Sequence, residues 1–216
     1  VREALFPEGV VFVRATPELD GLPLHPAEAA VAARMGAERR REFALGRACA
    51  HLALARLGVE DAPVLRARGR APRWPDGVIG SLTHTDAFCA VVVARSGALL
   101  ALGLDAESGH ITPRAARRVL SDDERARLDA LPASADVHYE TLAFSAKESV
   151  YKALFPLSGQ KLGFADASIA VDPAARRFHV ALQGERRSAL PPGALLEGRY
   201  AWEGDTVVTS LVVRTG

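Results

Sequence analysis

Asp105 and Glu107 stand one residue apart at the end of an apolar run, Ala98 to Leu104. A strand sends alternate side chains to opposite faces, so both carboxylates project to one side. Two like charges that close repel, and each loses solvation beside a core. A divalent cation offsets both costs. Hard oxygen donors, with positions left for water and substrate phosphates, suit Mg²⁺. A strand that has run out into solvent carries the same pair, and for two acids alone that is the commoner situation.

A second group lies in Phe144-Ser-Ala-Lys-Glu-Ser-Val-Tyr-Lys152. On a helix Glu148 and Lys152 share a face. In isolation they would be a surface ion pair of little worth. The neighbours Phe144, Val150, Ala153, Leu154 and Phe155 make this a core helix instead, and Lys147 adds a second cation. A carboxylate and lysines on such a helix suit a third metal ligand with phosphate neutralisers. The third group is Gly80-Ser-Leu-Thr-His84, where hydroxyls, backbone N–H groups and an imidazole could hold phosphate. Ser81 and His84 also suggest a hydrolase dyad, but no Gly-x-Ser-x-Gly elbow is present and nothing orients the histidine. The fourth is basic: Arg39, Arg40 and Arg41, then Arg47, then Arg66, Arg68 and Arg70. Arg39 and Arg47 lie near two helical turns apart, roughly on one face. A solvated charge run is one reading; arginines converging on a phosphate are the other. Phe43 is the one aromatic residue between Arg39 and Arg70, too few for a base-stacking surface, so nucleic acid is not expected as a partner.

These groups need elements to hold them. Val10 to Ala15 reads as a strand, Pro26 opens a helix, and a long helix follows from about Ala37 to Leu57 with Gly58 as its stop. Residues 60 to 80 read as loop with at most a short strand. Phe88–Ala94 and Ala98–Leu104 read as two strands joined by Arg95-Ser-Gly97 in an antiparallel hairpin. Ser121-Asp-Asp-Glu124 is a capping box before a helix. Another helix is expected from about Ala143 to Leu154, ending before Pro156. Strands are expected at Phe164–Val171, Arg177–Leu182, Leu196–Trp202 and Val207–Val213, with Gly204-Asp205 turning the last pair. The fold class is α+β, with two halves alike in coarse plan divided at residues 1–105 and 106–216.

The chain has 216 residues, 49% hydrophobic and 25% charged, with a formal net charge of +1. That is globular usage, long enough for a sizeable core, with no global field that favours nucleic acid or an anionic membrane. No apolar stretch reaches the ~18 residues of a membrane span, and no signal peptide is legible at the start. The first residue is not Met, so a few N-terminal residues are expected to be missing. Cys49 and Cys89 fit no CxxC motif or disulfide-dense scaffold, and a reduced cytoplasmic setting is expected.

Gly103-Leu-Asp-Ala-Glu107 followed by Phe144-Ser-x-Lys-Glu-Ser-x-x-Lys152 resembles the signature pair of the 4′-phosphopantetheinyl transferases. The resemblance is to the large monomeric, surfactin-synthetase-activating subclass and not to the small trimeric holo-acyl-carrier-protein synthases. Trp74-Pro-Asp-Gly-x-x-Gly-Ser-Leu-Thr-His84 and Arg39-Arg-Arg-Glu-Phe-x-x-Gly-Arg47 are similar to its enterobactin-type and actinobacterial branch. Order and spacing agree from about residue 36 to 155; any one motif is weak and the four in order are strong. The resemblance implies a pseudo-duplicated fold of two similar α+β halves with coenzyme A in the cleft between them. It implies transfer of the phosphopantetheine arm to a carrier-protein serine, leaving adenosine 3′,5′-bisphosphate. It implies Asp105, Glu107 and Glu148 as ligands of Mg²⁺, with Mn²⁺ as a substitute. Lys152, Thr83, His84, Arg39, Arg47 and Arg66 match coenzyme A contacts, and Lys147 matches the motif lysine, assigned with them. Glu148 is the candidate base, and Lys152 the group that neutralises or protonates the leaving bisphosphate. The expected partners are acyl or peptidyl carrier proteins of fatty acid, polyketide or nonribosomal peptide synthesis, docking between about Pro113 and Tyr139 near Arg114, Arg117 and Arg118. A monomer is expected. The rival readings are a catalytically silent coenzyme A or carrier-binding module and an unrelated Mg²⁺-dependent phosphohydrolase.

Overall fold

A computed structural model describes residues 2–67, 69, 71–133 and 137–216, with the backbone but not the side chains of 2–3 and 187–189. Arg68 and Arg70 therefore lie outside the described residues. The chain forms two compact units, Glu8–Gly97 and Ala98–Gly216 with Val1–Pro7.

In the N-terminal unit, β1 (Val11–Arg14), β4 (Val78–His84) and β5 (Cys89–Arg95) form an antiparallel sheet in the order β1-β5-β4. The Val-rich β5 is the central strand, and Cys89 to Ala94 are all buried. Helix α3 (Ala37–Arg56) lies on this sheet, with Cys49, Ala50, Ala53 and Leu54 facing Val13, Val91 and Val93. Its buried face is mostly small, which lets the helix axis sit low; at Gly46 an added Cβ would stand 3.0 Å from Leu82. The helix ends where Gly58 takes φ +71°, a conformation that favours glycine. Helix α2 (Pro26–Ala32) precedes it, starting at proline as expected. Between α3 and β4, the two-residue strands β2 (Leu65–Arg66) and β3 (Pro72–Arg73) pair as a small ribbon.

The C-terminal unit is built on a five-stranded antiparallel sheet of β6 (Leu99–Ser108), β7 (Ala167–Asp172), β8 (Arg177–Leu182), β9 (Leu195–Glu203) and β10 (Thr206–Arg214), in the order β6-β10-β9-β8-β7. Helix α6 (Tyr139–Ser158) packs on β6 and β10, and Leu142, Ala146, Val150, Ala153 and Leu154 enter the core with Ala101, Leu211 and Val213. Two shorter helices, α4 (Pro113–Val119) and α5 (Asp122–Asp129), follow β6, and α1 (Arg2–Leu5) belongs to this unit. The capping box of α5 is formed in full: Glu124 N–H donates to Ser121 Oγ at 3.2 Å and Ser121 N–H to Glu124 Oε2 at 2.9 Å. Each unit is thus a 20-residue helix on an antiparallel sheet, which is the α+β class expected.

Four expectations are corrected. Strands β5 and β6 do not form a hairpin: β5 pairs with β1 and β4, while β6 pairs with β10. Ser96 N–H is tied back to Gly77 O, so Ser96-Gly97 leads out of one sheet, and the true hairpin is β4–β5. A boundary at residue 105 would cut β6, whose length lies against β10; the division falls at Gly97/Ala98. Helix α6 begins at Tyr139 and carries Pro156 inside its last turn, ending at Gly159 with φ +67°. So near the C-terminus a proline forgoes one hydrogen bond and does not stop the helix. Strand β7 starts only at Ala167, after a turn of 3₁₀ helix at Phe164–Asp166.

Candidate functional site

The acidic centre of the C-terminal unit depends on Gly103. A Cβ there would stand 1.9 Å from the carbonyl oxygen of Ser149, so only glycine lets α6 approach β6 this closely. Gly103, Asp105 and Glu107 share one strand face, and the helix residues nearest that contact include Glu148 and Lys152. Asp105 is 4% exposed. Its Oδ1 accepts from Lys152 Nζ at 2.7 Å and its Oδ2 from Ser145 Oγ at 2.8 Å. Ser145 Oγ also lies 2.9 Å from Oγ1 of Thr209, the residue paired with Asp105 across β10.

Glu107 and Glu148 feel the same neighbourhood. Burial pushes the Glu107 carboxyl up to about 7, the Asp105 charge adds to the rise, Lys152 opposes it and Glu148 reinforces it. Glu148 is raised by burial and by Asp105, against the pull of Lys152. Three carboxylates and one lysine therefore share one field. Among the described residues no three His, Cys, Asp or Glu side chains are gathered into a metal-binding arrangement. The Asp105 oxygens are instead engaged by Ser145 and Lys152. The chemistry of the donor set nonetheless fits a hard divalent cation: three carboxylates, two of them held above their ordinary range by burial and by the Asp105 charge, a cost that such a cation relieves.

Lys147 departs from its expected place at coenzyme A. It is 5% exposed, and Nζ donates to Val119 O at 2.9 Å, Glu124 Oε2 at 2.8 Å and Phe164 O at 2.8 Å. An ammonium has three N–H bonds, and the protein takes them all. Glu124 is fully engaged too, with Oε1 accepting from Ile169 N–H at 2.8 Å. Burial alone would raise the Glu124 carboxyl, but Lys147 and the amides of Ser121 and Ile169 hold it below the ordinary range. This pair ties α5, β7 and the α4 terminus to α6. The capping box showed Glu124 in the sequence, but its second role as the lysine's partner depends on tertiary packing.

The N-terminal unit carries the basic group. Arg39 Nη1 lies 3.2 Å from His84 Nε2 and donates to Glu42 Oε2 at 2.7 Å. Arg47 is 6% exposed, with its guanidinium 4.4 Å from the Phe43 ring centroid; Arg66 lies 5.3 Å from the same centroid. Burial pulls Arg47 down to about 10, Glu28 pulls it up and Arg66 down, so it stays charged at neutral pH. Thr83 is buried on β4. Sequence reasoning missed Glu28, a fully buried carboxylate on α2 whose partners are His51 and the Val64 amide.

Beyond β6, a cavity of about 390 Å³ is lined by His110, Ile111, His138, Tyr139 and Thr141 among others, and the His110 and His138 rings lie 3.5 Å apart. Arg114, Arg117 and Arg118 are exposed on α4, while its Ala116 and Val119 are buried. The exposed large hydrophobic residues among those described are Leu22 and Leu195, neither of them in the segment expected to dock a carrier. No helix among the described residues is long and apolar enough to cross a membrane.

Residues 27–94 match the model of the 4′-phosphopantetheinyl transferase N-terminal domain, and residues 101–200 that of the 4′-phosphopantetheinyl transferase superfamily. The chain is 43% identical to 4′-phosphopantetheinyl transferase Svp of Streptomyces mobaraensis over 88% of its own length and 78% of that protein. It is 39% identical to 4′-phosphopantetheinyl transferase PptT of Mycobacterium tuberculosis, covering 89% and 87% of the two chains. With 4′-phosphopantetheinyl transferase Npt of Nocardia iowensis the identity is 33% over 97% and 98%.

Proposed function

We propose residue roles for this chain, which belongs to the 4′-phosphopantetheinyl transferase superfamily. It is a transferase that moves the phosphopantetheine group to carrier proteins. The donor in our reading is coenzyme A, the acceptor a carrier-protein serine, and the second product adenosine 3′,5′-bisphosphate. The observation that carries the reading is the shared field of Asp105, Glu107, Glu148 and Lys152, set on β6 and α6 within the matched region.

Asp105, Glu107 and Glu148 would hold Mg²⁺, with Mn²⁺ as a substitute. When bound, the ion supplies positive charge against the pyrophosphate oxygens. The serine hydroxyl attacks the phosphorus that bears the pantetheine, and the bridging P–O bond to the adenosine-side phosphate breaks. Glu148 takes the serine proton as the hydroxyl attacks. Lys152 neutralises the charge gathering on the leaving bisphosphate. Its present contact with Asp105 puts that ammonium within the same group of carboxylates. Arg39, Arg47 and Arg66, with Thr83 and His84, contribute phosphate contacts, the arginines including the 3′-phosphate. Lys147 has no direct part. Positioning and electrostatics supply most of the acceleration, as in other phosphoryl transfers.

The exposed arginines of α4 meet an acidic acyl or peptidyl carrier. The reading places the enzyme in the large monomeric subclass and in the cytoplasm, in keeping with two buried, unbridged cysteines. The test incubates the chain with coenzyme A, Mg²⁺ and a panel of apo carriers, followed by intact mass and product analysis. One phosphopantetheine added to the carrier with stoichiometric adenosine 3′,5′-bisphosphate supports the reading. Release of inorganic phosphate, or coenzyme A binding without transfer to any carrier, overturns it.

A further inference from the structure

Arg47 is a buried cation whose charge is matched without being consumed. Its Nε lies 3.9 Å from Glu28 Oε1, beyond hydrogen-bond reach, and has no hydrogen-bond partner. An arginine beside a free carboxylate would ordinarily close into a two-pronged bridge and spend its fork there. Glu28 cannot do so because its oxygens are already committed. Oε1 accepts from Val64 N–H at 2.7 Å, and His51 Nε2 lies 2.9 Å from Oε2 and 3.1 Å from Oε1. The elements enforce this. Arg47 and His51 are four residues apart on α3 and share the face that meets α2, where Glu28 is 0% exposed. The Phe43 ring, also on α3, supports the guanidinium plane at 4.4 Å.

We propose that Glu28, pinned by His51 and the Val64 amide, is a positioning residue that keeps Arg47 seated on Phe43 and unspent for a coenzyme A phosphate. This rests on the reading of Arg47 as a phosphate contact. Glu28 offsets the positive charge of the guanidinium in its buried place, yet its Oε1 stands 3.9 Å from Nε, too far to take that donor. Removal of the carboxylate charge frees Arg47 to turn away from Phe43 or to find protein partners, and the phosphate loses a preformed donor. His51 acts one step further out, by fixing the carboxylate.

The test is a double-mutant cycle read by calorimetric binding of coenzyme A to the full chain, with thermal melts as the measure of folding. Glu28→Gln keeps an oxygen for the Val64 amide and should weaken coenzyme A about tenfold. Arg47→Ala should weaken it at least as much, and adding Glu28→Gln to Arg47→Ala should then cost less than twofold. His51→Ala, at a side chain 32% exposed, should weaken binding about threefold and lose that effect in the Arg47→Ala background; it carries the test if Glu28→Gln does not fold. If Arg47→Ala binds coenzyme A as the parent does, the phosphate reading of Arg47 fails. If Arg47→Ala weakens binding but the Glu28 and His51 variants do not, or add in full on top of it, the phosphate reading stands and the positioning role is overturned.

Discussion

At the residue scale, the carboxylates of β6 and α6 are held where charge is costly. The Glu107 carboxyl is raised from its ordinary 4.5 to about 7, so between those values the folded protein keeps a proton that the unfolded chain has lost. The contribution of this group to the stability of the metal-free protein should therefore fall as pH rises through about 4.5 to 7. Urea unfolding in a chelator across that window checks this, and Glu107→Gln should remove that fall. The same pH dependence in Glu107→Gln as in the parent would contradict it. Glu148→Gln should leave coenzyme A binding near the parent value and remove turnover. A fall of less than about tenfold, ~1.4 kcal/mol of barrier, would show that Glu148 is not the essential base. The Asp105 and Glu107 pair and the Glu148 and Lys152 spacing were legible because period two and period 3.6 assign faces directly. The role of Lys147 was not, since nothing local shows that Val119, Glu124 and Phe164 surround its ammonium.

At the element scale the centre exists because α6 lies flat on β6 at Gly103. Gly103→Ala places a methyl 1.9 Å from a backbone oxygen. It should cost on the order of 1–3 kcal/mol of stability and lower transfer by more than the melt explains, because Glu148 and Lys152 move with the helix. Unchanged activity in Gly103→Ala would mean that the helix and strand have slack that the structure does not show. Most strands and both long helices were readable from hydrophobic period and from stops such as Gly58. The β5–β6 hairpin was misread because two apolar runs around Ser96-Gly97 satisfy the hairpin pattern equally well whether they pair or part. Only the ladders to β1, β4 and β10 decide it. Pro156 misled for a similar reason: its cost depends on how much helix lies beyond it.

At the scale of the whole molecule, a formal net charge of +1 leaves partner recognition to local patches. The exposed Arg114, Arg117 and Arg118 on α4 are such a patch. Reversing all three to Glu should raise the KM for an acidic carrier at least tenfold at low salt, with little change in kcat, and the difference should shrink as salt rises. An unchanged carrier KM would move the docking surface elsewhere. The family assignment spans both units, with one model matching 27–94 and the other 101–200. Within that span, our proposal makes the carboxylates of β6 and α6 the centre of transfer. Intact mass of an apo carrier after incubation with coenzyme A, Mg²⁺ and Asp105→Ala tests it most directly, with circular dichroism matched to the parent. The carrier should stay free of phosphopantetheine with Asp105→Ala and be fully converted with the parent; conversion by the variant at the parent's rate would rule these carboxylates out as the centre of transfer.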